Sequence, residues 1–168
     1  MSVKRVAGSQ SNRAISNMRA CLQRVLSASV TLPQEENRIV GEINAGLVVL
    51  LGVGASDSES EAVLLARKCA ELRIFEDEQG KMNRSITDVG GAMLVVSQFT
   101  LYADCRRGRR PSLTAAAPPE LADSLYRRFV EEIRQRNIPA AMGSFRTEMH
   151  VRLVNDGPVT IWLDTQEL

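Results

Sequence analysis

The sequence predicts an α+β domain, on three observations. Several short apolar segments read as strands, and only two segments carry the three- and four-residue periodicity of helices. Strands also follow strands more often than they alternate with helices, whereas a doubly wound nucleotide fold needs strict alternation. The expected architecture is one domain of mostly antiparallel or mixed sheets, barrel-like, with two main helices.

The elements follow in order. Strands are expected over residues 19–25 and 28–32, then a turn over 33–38 and a return strand starting at Ile39. LVVLLGV (47–53) is continuously apolar, which suits a strand buried on both faces, and Gly52 and Gly54 end it. Ser58 and Glu61 have capping-box spacing, and Ala62, Leu65, Ala66, Cys69 and Leu72 then fall on one helical face. A short strand over 73–75 and a polar turn around Gly80 lead to a buried strand, AMLVVS (92–97). Pro118 and Pro119 open the second helix, where a missing N–H costs nothing, and Leu121, Leu125, Phe129 and Ile133 recur every four residues along it. Met149, Val151 and Leu153 alternate as a strand, NDGP (155–158) reads as a turn, and residues 159–163 form a closing strand.

The chain has 168 residues, 44% hydrophobic, with 21 Lys plus Arg against 20 Asp plus Glu. That length suits one domain with a core of its own. A net charge of +1 excludes a globally basic nucleic-acid coat, so any such contact needs a local patch. The longest apolar run is far short of a membrane span, which needs about 20 residues. Residues 1–17 hold Lys4, Arg5, Arg13 and four serines but no acid, and they are expected to be a flexible N-terminal extension. A transit peptide shares that composition and is the other reading. The folded domain is expected over 18–168.

Cys21, Cys69 and Cys105 form no CxxC pair, which fits a reducing compartment, and Cys69 reads as a small buried hydrophobe. A cysteine nucleophile would need His150, the only histidine, which alternates outward on its strand. No metal site and no cofactor are expected, because one histidine without paired cysteines is a poor zinc set and no P-loop or GxGxxG is present.

Three segments could carry chemistry. SQFTL (97–101) follows a buried strand, where small hydroxyls and freed N–H groups can line a pocket or simply begin a loop. Asn155-Asp156-Gly157-Pro158-Val159-Thr160 is either a plain trans turn or a held cis bond. Arg106, Arg107, Arg109 and Arg110 lie within five residues, either as a phosphate-binding loop or as a solvated one.

Together MRACLQRVLSASV (18–30), RIFEDEQGKMN (73–83), LVVSQFTLYAD (94–104) and VRLVNDGPVT (151–160) resemble the D-aminoacyl-tRNA deacylases. The resemblance runs in order over residues 18–164, and SQFTL with NDGPVT is a specific combination. It implies a cytoplasmic, tRNA-binding proofreading hydrolase of translation quality control. Such an enzyme cleaves D-aminoacyl-tRNA, and glycyl-tRNA mischarged on tRNA-Ala, without metal or cofactor. It also implies a homodimer with the active site at the subunit interface.

Carried over by residue, Ser97, Gln98, Phe99 and Thr100 form the catalytic segment, whose N–H groups would hold the developing oxyanion. Thr100 is a candidate nucleophile, but no base stands near it in sequence. A water assisted by the ribose 2′-hydroxyl asks less of the protein. Gly157 and Pro158 match a Gly-cisPro element that rejects L side chains in the partner's pocket. Arg24 would hold that element, with Met149 and Phe145 lining the pocket, and the four loop arginines are expected on the tRNA backbone. Arg146-Thr147 replace residues that are usually small, and Leu113 stands where an aromatic is common. Two alternatives stand beside this reading: a sister deacylase acting on a small L-amino acid, and a non-catalytic nucleic-acid binding module.

Overall fold

The computed structural model describes residues 16–168. In chain order the elements are β1 (Arg19–Leu32), β2 (Arg38–Ile43), β3 (Gly46–Gly52), α1 (Glu59–Glu71), β4 (Phe75–Glu76), β5 (Met82–Arg84), β6 (Ala92–Ser97), α2 (Pro119–Gln135), β7 (Ala140–Met142) and β8 (His150–Asp164). A 3-10 turn, Phe99–Tyr102, follows β6.

β1 is the hub of a mixed six-stranded sheet. Along one edge its first half pairs antiparallel with β3 and its second half with β2; along the other edge it pairs with β8. β3 continues parallel to β6, and β6 parallel to β7. These two parallel steps require crossovers, which α1 and α2 supply. Alternation then places Leu47, Val49 and Leu51 in the cluster that takes Leu65 of α1 and Phe129 and Ile133 of α2. Val48 points to the opposite face with Val25, Val30, Leu94 and Val96. The expected two-sided burial of β3 therefore holds, and each wholly buried large side chain contributes about 1.5–3 kcal/mol. At Gly41 of β2 any Cβ would collide with the Met142 carbonyl of β7, so the sheet curls until its two ends touch. The α+β, barrel-like expectation is the observed fold. Among the described residues no helix is long and apolar enough to cross a membrane.

Several boundaries differ from expectation. β1 is one 14-residue strand rather than two, since the apparent break at Leu26 and Ser27 is only a change of register against β8. β8 likewise runs unbroken over 15 residues through the expected NDGP turn. The strand expected over 73–75 begins only at Phe75 and pairs with β5. β7 carries three small or flexible side chains after Pro139 and offers no alternation to read. Residues 1–15 of the expected extension lie outside the described residues. Asn17 is tied to the folded body: its N–H donates to Asp57 Oδ1 at 2.7 Å and its carbonyl accepts from Tyr102 Oη at 2.6 Å. In α1 the Ser58 N–H donates to Glu61 Oε2 at 2.6 Å, the capping-box contact that the spacing predicted.

Tyr126 couples α2 to the sheet. Its hydroxyl donates to the Val95 carbonyl at 2.7 Å, and burial pushes its pKa up to about 12. Its ring stacks on Phe145 with centroids 6.2 Å apart. Tyr126→Phe should destabilise the fold by about 1–2 kcal/mol, measured as a lowered denaturant midpoint with an unchanged slope.

Candidate functional site

β6 ends at Ser97, and the next residue extends the parallel pairing by one bond, from Gln98 N–H to the Leu51 carbonyl at 2.7 Å. The chain then coils. Leu101 N–H bonds back to the Gln98 carbonyl at 3.3 Å and Ala103 N–H to Thr100 at 3.0 Å. The first donors of such a turn have no earlier carbonyl to reach. Among the described residues, the N–H groups of Phe99 and Thr100 accordingly have no acceptor. The Gln98 N–H, by contrast, is already committed to Leu51. Thr100 is exposed, and its hydroxyl oxygen accepts from Gln98 Nε2.

A clamp holds this turn against β1. Arg19 Nη1 donates to the Leu101 carbonyl at 3.0 Å, while its Nε bonds Asp164 Oδ2 of β8 at 3.0 Å. The guanidinium lies over the Tyr102 ring at 4.7 Å and near the Trp162 ring at 5.7 Å, a cation–π arrangement. The Tyr102 hydroxyl is anchored on the Asn17 and Gly52 carbonyls at 2.6 and 3.2 Å. Below it, burial pushes the Asp57 carboxyl up, and the Gly54 and Asn17 N–H groups offset part of that cost.

Ser97, Gln98 and Phe99 form one wall of a cavity of about 560 Å³, and Phe145 and Met149 form another. Five of the expected site residues thus meet in one place, although Thr100 does not border the cavity. The third wall was not expected. It comes from Leu113, Ala116 and Ala117, in a loop pinned to the end of β3 by Ala55 N–H to Ala115 O and Ala117 N–H to Val53 O. The run of small residues before Pro118 was the available signal, and it reads only as a helix lead-in. The lining is mostly apolar, as is usual for a cleft that takes a small organic group.

Gly157 and Pro158 lie elsewhere. Gln23 pairs with Thr160 and Val25 with Asn155, so the single residue Arg24 stands opposite four, residues 156–159. These four bulge outward, with Gly157 and Pro158 exposed and their peptide bond cis. The Asn155 side chain closes the bulge by accepting the Val159 N–H at 2.9 Å. Arg24, only 4% exposed, donates from Nε to the Asp156 carbonyl at 3.0 Å and from Nη1 to the Ile74 carbonyl at 2.7 Å. The carboxylates of Asp156 and Glu76 approach it at 3.4 and 3.7 Å. Val151 borders the cavity, and the six strand steps from it to Gly157 span about 20 Å. Within one chain the bulge and the cavity are separate.

Arg106, Arg107, Arg109 and Arg110 project from an exposed loop closed by paired backbone bonds between Asp104 and Ser112 at 2.8 and 3.0 Å. Arg106 is occupied: its Nε and Nη2 grip the Asp104 carboxylate at 2.8 and 2.7 Å, holding that carboxyl down at about 2. Among the described residues Arg107, Arg109 and Arg110 form no ion pair. Cys69 is wholly buried on α1 and burial pushes its thiol up, so it stays protonated at neutral pH. His150 is exposed at the first residue of β8.

Arg24→Gln removes charge-assisted bonds to two carbonyls and should cost about 1.5–3 kcal/mol of stability. Arg19→Met should leave the midpoint nearer the parent value, since Arg19 is half-exposed, yet free the 3-10 turn. Hydrogen exchange at Leu101 and Tyr102 should then rise, and unchanged protection there would contradict the clamp.

Sequence comparison places this geometry among known proteins. The family model described as D-Tyr-tRNA(Tyr) deacylase matches residues 21–164. A D-aminoacyl-tRNA deacylase of Koribacter versatilis is 59% identical over 150 residues, covering 89% of this chain and 99% of the relative. One from Thermotoga petrophila is 56% identical over 151 residues, covering 90% and 99%. A solved structure described as a c-Myc DNA unwinding element binding protein superposes with a TM-score of 0.80 at 39% identity, covering 86% of this chain and 97% of that one. A probable eukaryotic D-amino acid tRNA deacylase, at 16% identity and a TM-score of 0.74, shares the fold over 88% of this chain and 99% of its own. A match spanning nearly every described element, SQFTL and NDGPVT included, means that the chain belongs to the D-Tyr-tRNA(Tyr) deacylase family.

Proposed function

We propose that this protein is a chiral proofreading hydrolase of the cytoplasm that works as a homodimer. It cleaves the ester of D-aminoacyl-tRNA, and of glycyl-tRNA mischarged on tRNA-Ala, to free amino acid and tRNA. The observation that carries this reading is the apolar cavity with two unbonded N–H groups, Phe99 and Thr100, on the turn beside it. The substrate's carbonyl oxygen sits against these donors. Water adds to the carbonyl carbon, the negative charge passes to that oxygen, and the N–H groups stabilise it without reorganising. Collapse breaks the carbon–ribose oxygen bond. The water's proton passes through the ribose 2′-hydroxyl to the leaving oxygen. In this reading Thr100 is not the nucleophile, because among the described residues no base borders the cavity beside it: His150, the only imidazole, lies on β8 outside the lining.

Selection belongs to Gly157 and Pro158 of the second copy. Their exposed bulge is distant from its own cavity, so the carbonyls are free to enter the partner's. There they meet any side chain of L configuration with a clash and a desolvated oxygen. Glycine has nothing to clash with. Leu26 and Val154, 56% and 51% exposed on adjoining strands, supply apolar surface for the second copy to cover. The arginine loop meets tRNA phosphate through Arg107, Arg109 and Arg110, while Arg106 shapes the loop through Asp104.

A second reading, nucleic-acid binding without hydrolysis, draws on the same loop and on the description of the solved neighbour. Purified protein incubated with D-Tyr-tRNA and L-Tyr-tRNA separates the two. Selective loss of the D ester is expected; an intact D ester at high protein concentration favours the binding module. Cleavage confined to a small L-aminoacyl ester identifies a sister deacylase. Thr100→Ala should retain substantial turnover, whereas Phe99→Pro, which deletes one donor at a position proline tolerates, should lower kcat about 10²–10³-fold. Replacing Arg107, Arg109 or Arg110 by Ala should each reduce the salt slope of tRNA binding by about 1, and Arg106→Ala by clearly less.

A further inference from the structure

We infer that Arg146 is a phosphate subsite at the mouth of the cavity, taking the 5′-phosphate of the terminal nucleotide whose ester occupies it. The inference rests on the hydrolase reading above and adds a contact to it. Among the described residues Arg146 is the only charged one bordering the cavity. It is exposed, and among the described residues its guanidinium forms no ion pair or hydrogen bond. Its φ is +59°, a left-handed conformation that suits glycine and is resisted by a side chain with a Cβ.

The neighbours hold that conformation in place. Thr147 Oγ1 donates to the Ser144 carbonyl at 2.9 Å, Ser144 N–H points to the Met149 sulfur at 3.2 Å, and Phe145 is stacked on Tyr126. Three of these, Phe145, Thr147 and Met149, are themselves cavity residues, so the turn that shapes the pocket also sets where Arg146 emerges. A long cation kept in an unfavourable backbone region with no partner in its own chain is poised for an external anion.

The chemistry of the substrate identifies the anion. In an aminoacyl ester the carboxylate is consumed, and the α-amino group is a cation that a guanidinium repels. The nearest negative charge beyond the ester is the nucleotide's phosphate, which a planar guanidinium binds with two parallel bonds. Leu113, which also borders the cavity, directly follows Ser112, which closes the arginine loop.

The test compares 2′(3′)-O-D-tyrosyl-adenosine with the same ester of adenosine 5′-monophosphate, using the parent protein, Arg146→Gly and Arg146→Lys. The parent should favour the phosphorylated ester about tenfold in kcat/KM, chiefly through KM. Arg146→Gly should lose that preference, the ratio of kcat/KM for the two esters falling to about one, with an undiminished thermal midpoint, since glycine suits the left-handed turn. Arg146→Lys should keep part of the preference. Arg146→Gly that retains the full preference overturns the proposal. Titration with adenosine 5′-monophosphate alone distinguishes the two levels. If the parent cleaves neither ester but binds this nucleotide more tightly than adenosine in an Arg146-dependent way, the subsite stands and the hydrolase reading falls. If binding is also indifferent to phosphate, both fall.

Discussion

One buried guanidinium organises the molecule. Arg24 sits on the strand that pairs with three others, and a charged group there is tolerable only if its donors are met. Ile74 O meets one, and Asp156 O meets another, but the second contact exists only because β8 loops four residues around a single position of β1. That mismatch in register turns Gly157 and Pro158 outward. Five residues earlier on the same strand, Arg19 reaches the opposite way and fixes the carbonyl of Leu101 in the 3-10 turn. A single strand therefore positions both the donor turn and the outward bulge. About 20 Å of strand separates Val151 at the cavity from Gly157 in the bulge, and that separation is what makes a second copy necessary in this account.

The electrostatics follow the same economy. The chain is almost neutral overall, yet three arginines without an ion pair among the described residues gather on one loop and a fourth is locked by Asp104. The Arg106 guanidinium holds the Asp104 carboxyl below its ordinary value, and the carboxylate is ionised throughout the physiological range. In the proposed reading this local positive charge draws tRNA phosphate, while near-neutrality elsewhere limits non-specific retention of RNA. The cavity itself is apolar and supplies few polar groups. This suits a reaction whose substrate is an activated ester and whose main demand is orientation.

Much of this was legible in the residues. The two helices announced themselves through the Ser58–Glu61 cap, the proline start of α2 and the four-residue spacing of their buried faces. SQFTL and NDGPVT marked the segments that form the donor turn and the bulge. Other features depended on contacts that no local pattern encodes. The unity of β1 and β8 was hidden because bulges shift the alternation at Val25 and interrupt it at Gly157, which imitates a turn. β7 had no pattern of its own and exists because β6 offers it an edge. The wall built by Leu113, Ala116 and Ala117 arises from a loop pinned to β3, a tertiary event. Arg146 showed as a departure in sequence, but only the backbone angle and the lack of a partner give it meaning.

The central claim is that the donor turn of one chain and the Gly157–Pro158 bulge of another act on the same substrate. Mixing two variants tests it. Gly157→Ala forces a Cβ against the Val159 side chain at a φ of +137° and should impair rejection of L esters, while Phe99→Pro disables the donor turn. When Gly157→Ala chains are re-associated with an excess of Phe99→Pro chains, each working cavity faces an intact bulge. Cleavage of L-Tyr-tRNA should then fall toward the parent level while cleavage of D-Tyr-tRNA persists. If L-Tyr-tRNA cleavage per Gly157→Ala chain is unchanged in the mixed dimers, selection acts within one chain and the account is wrong.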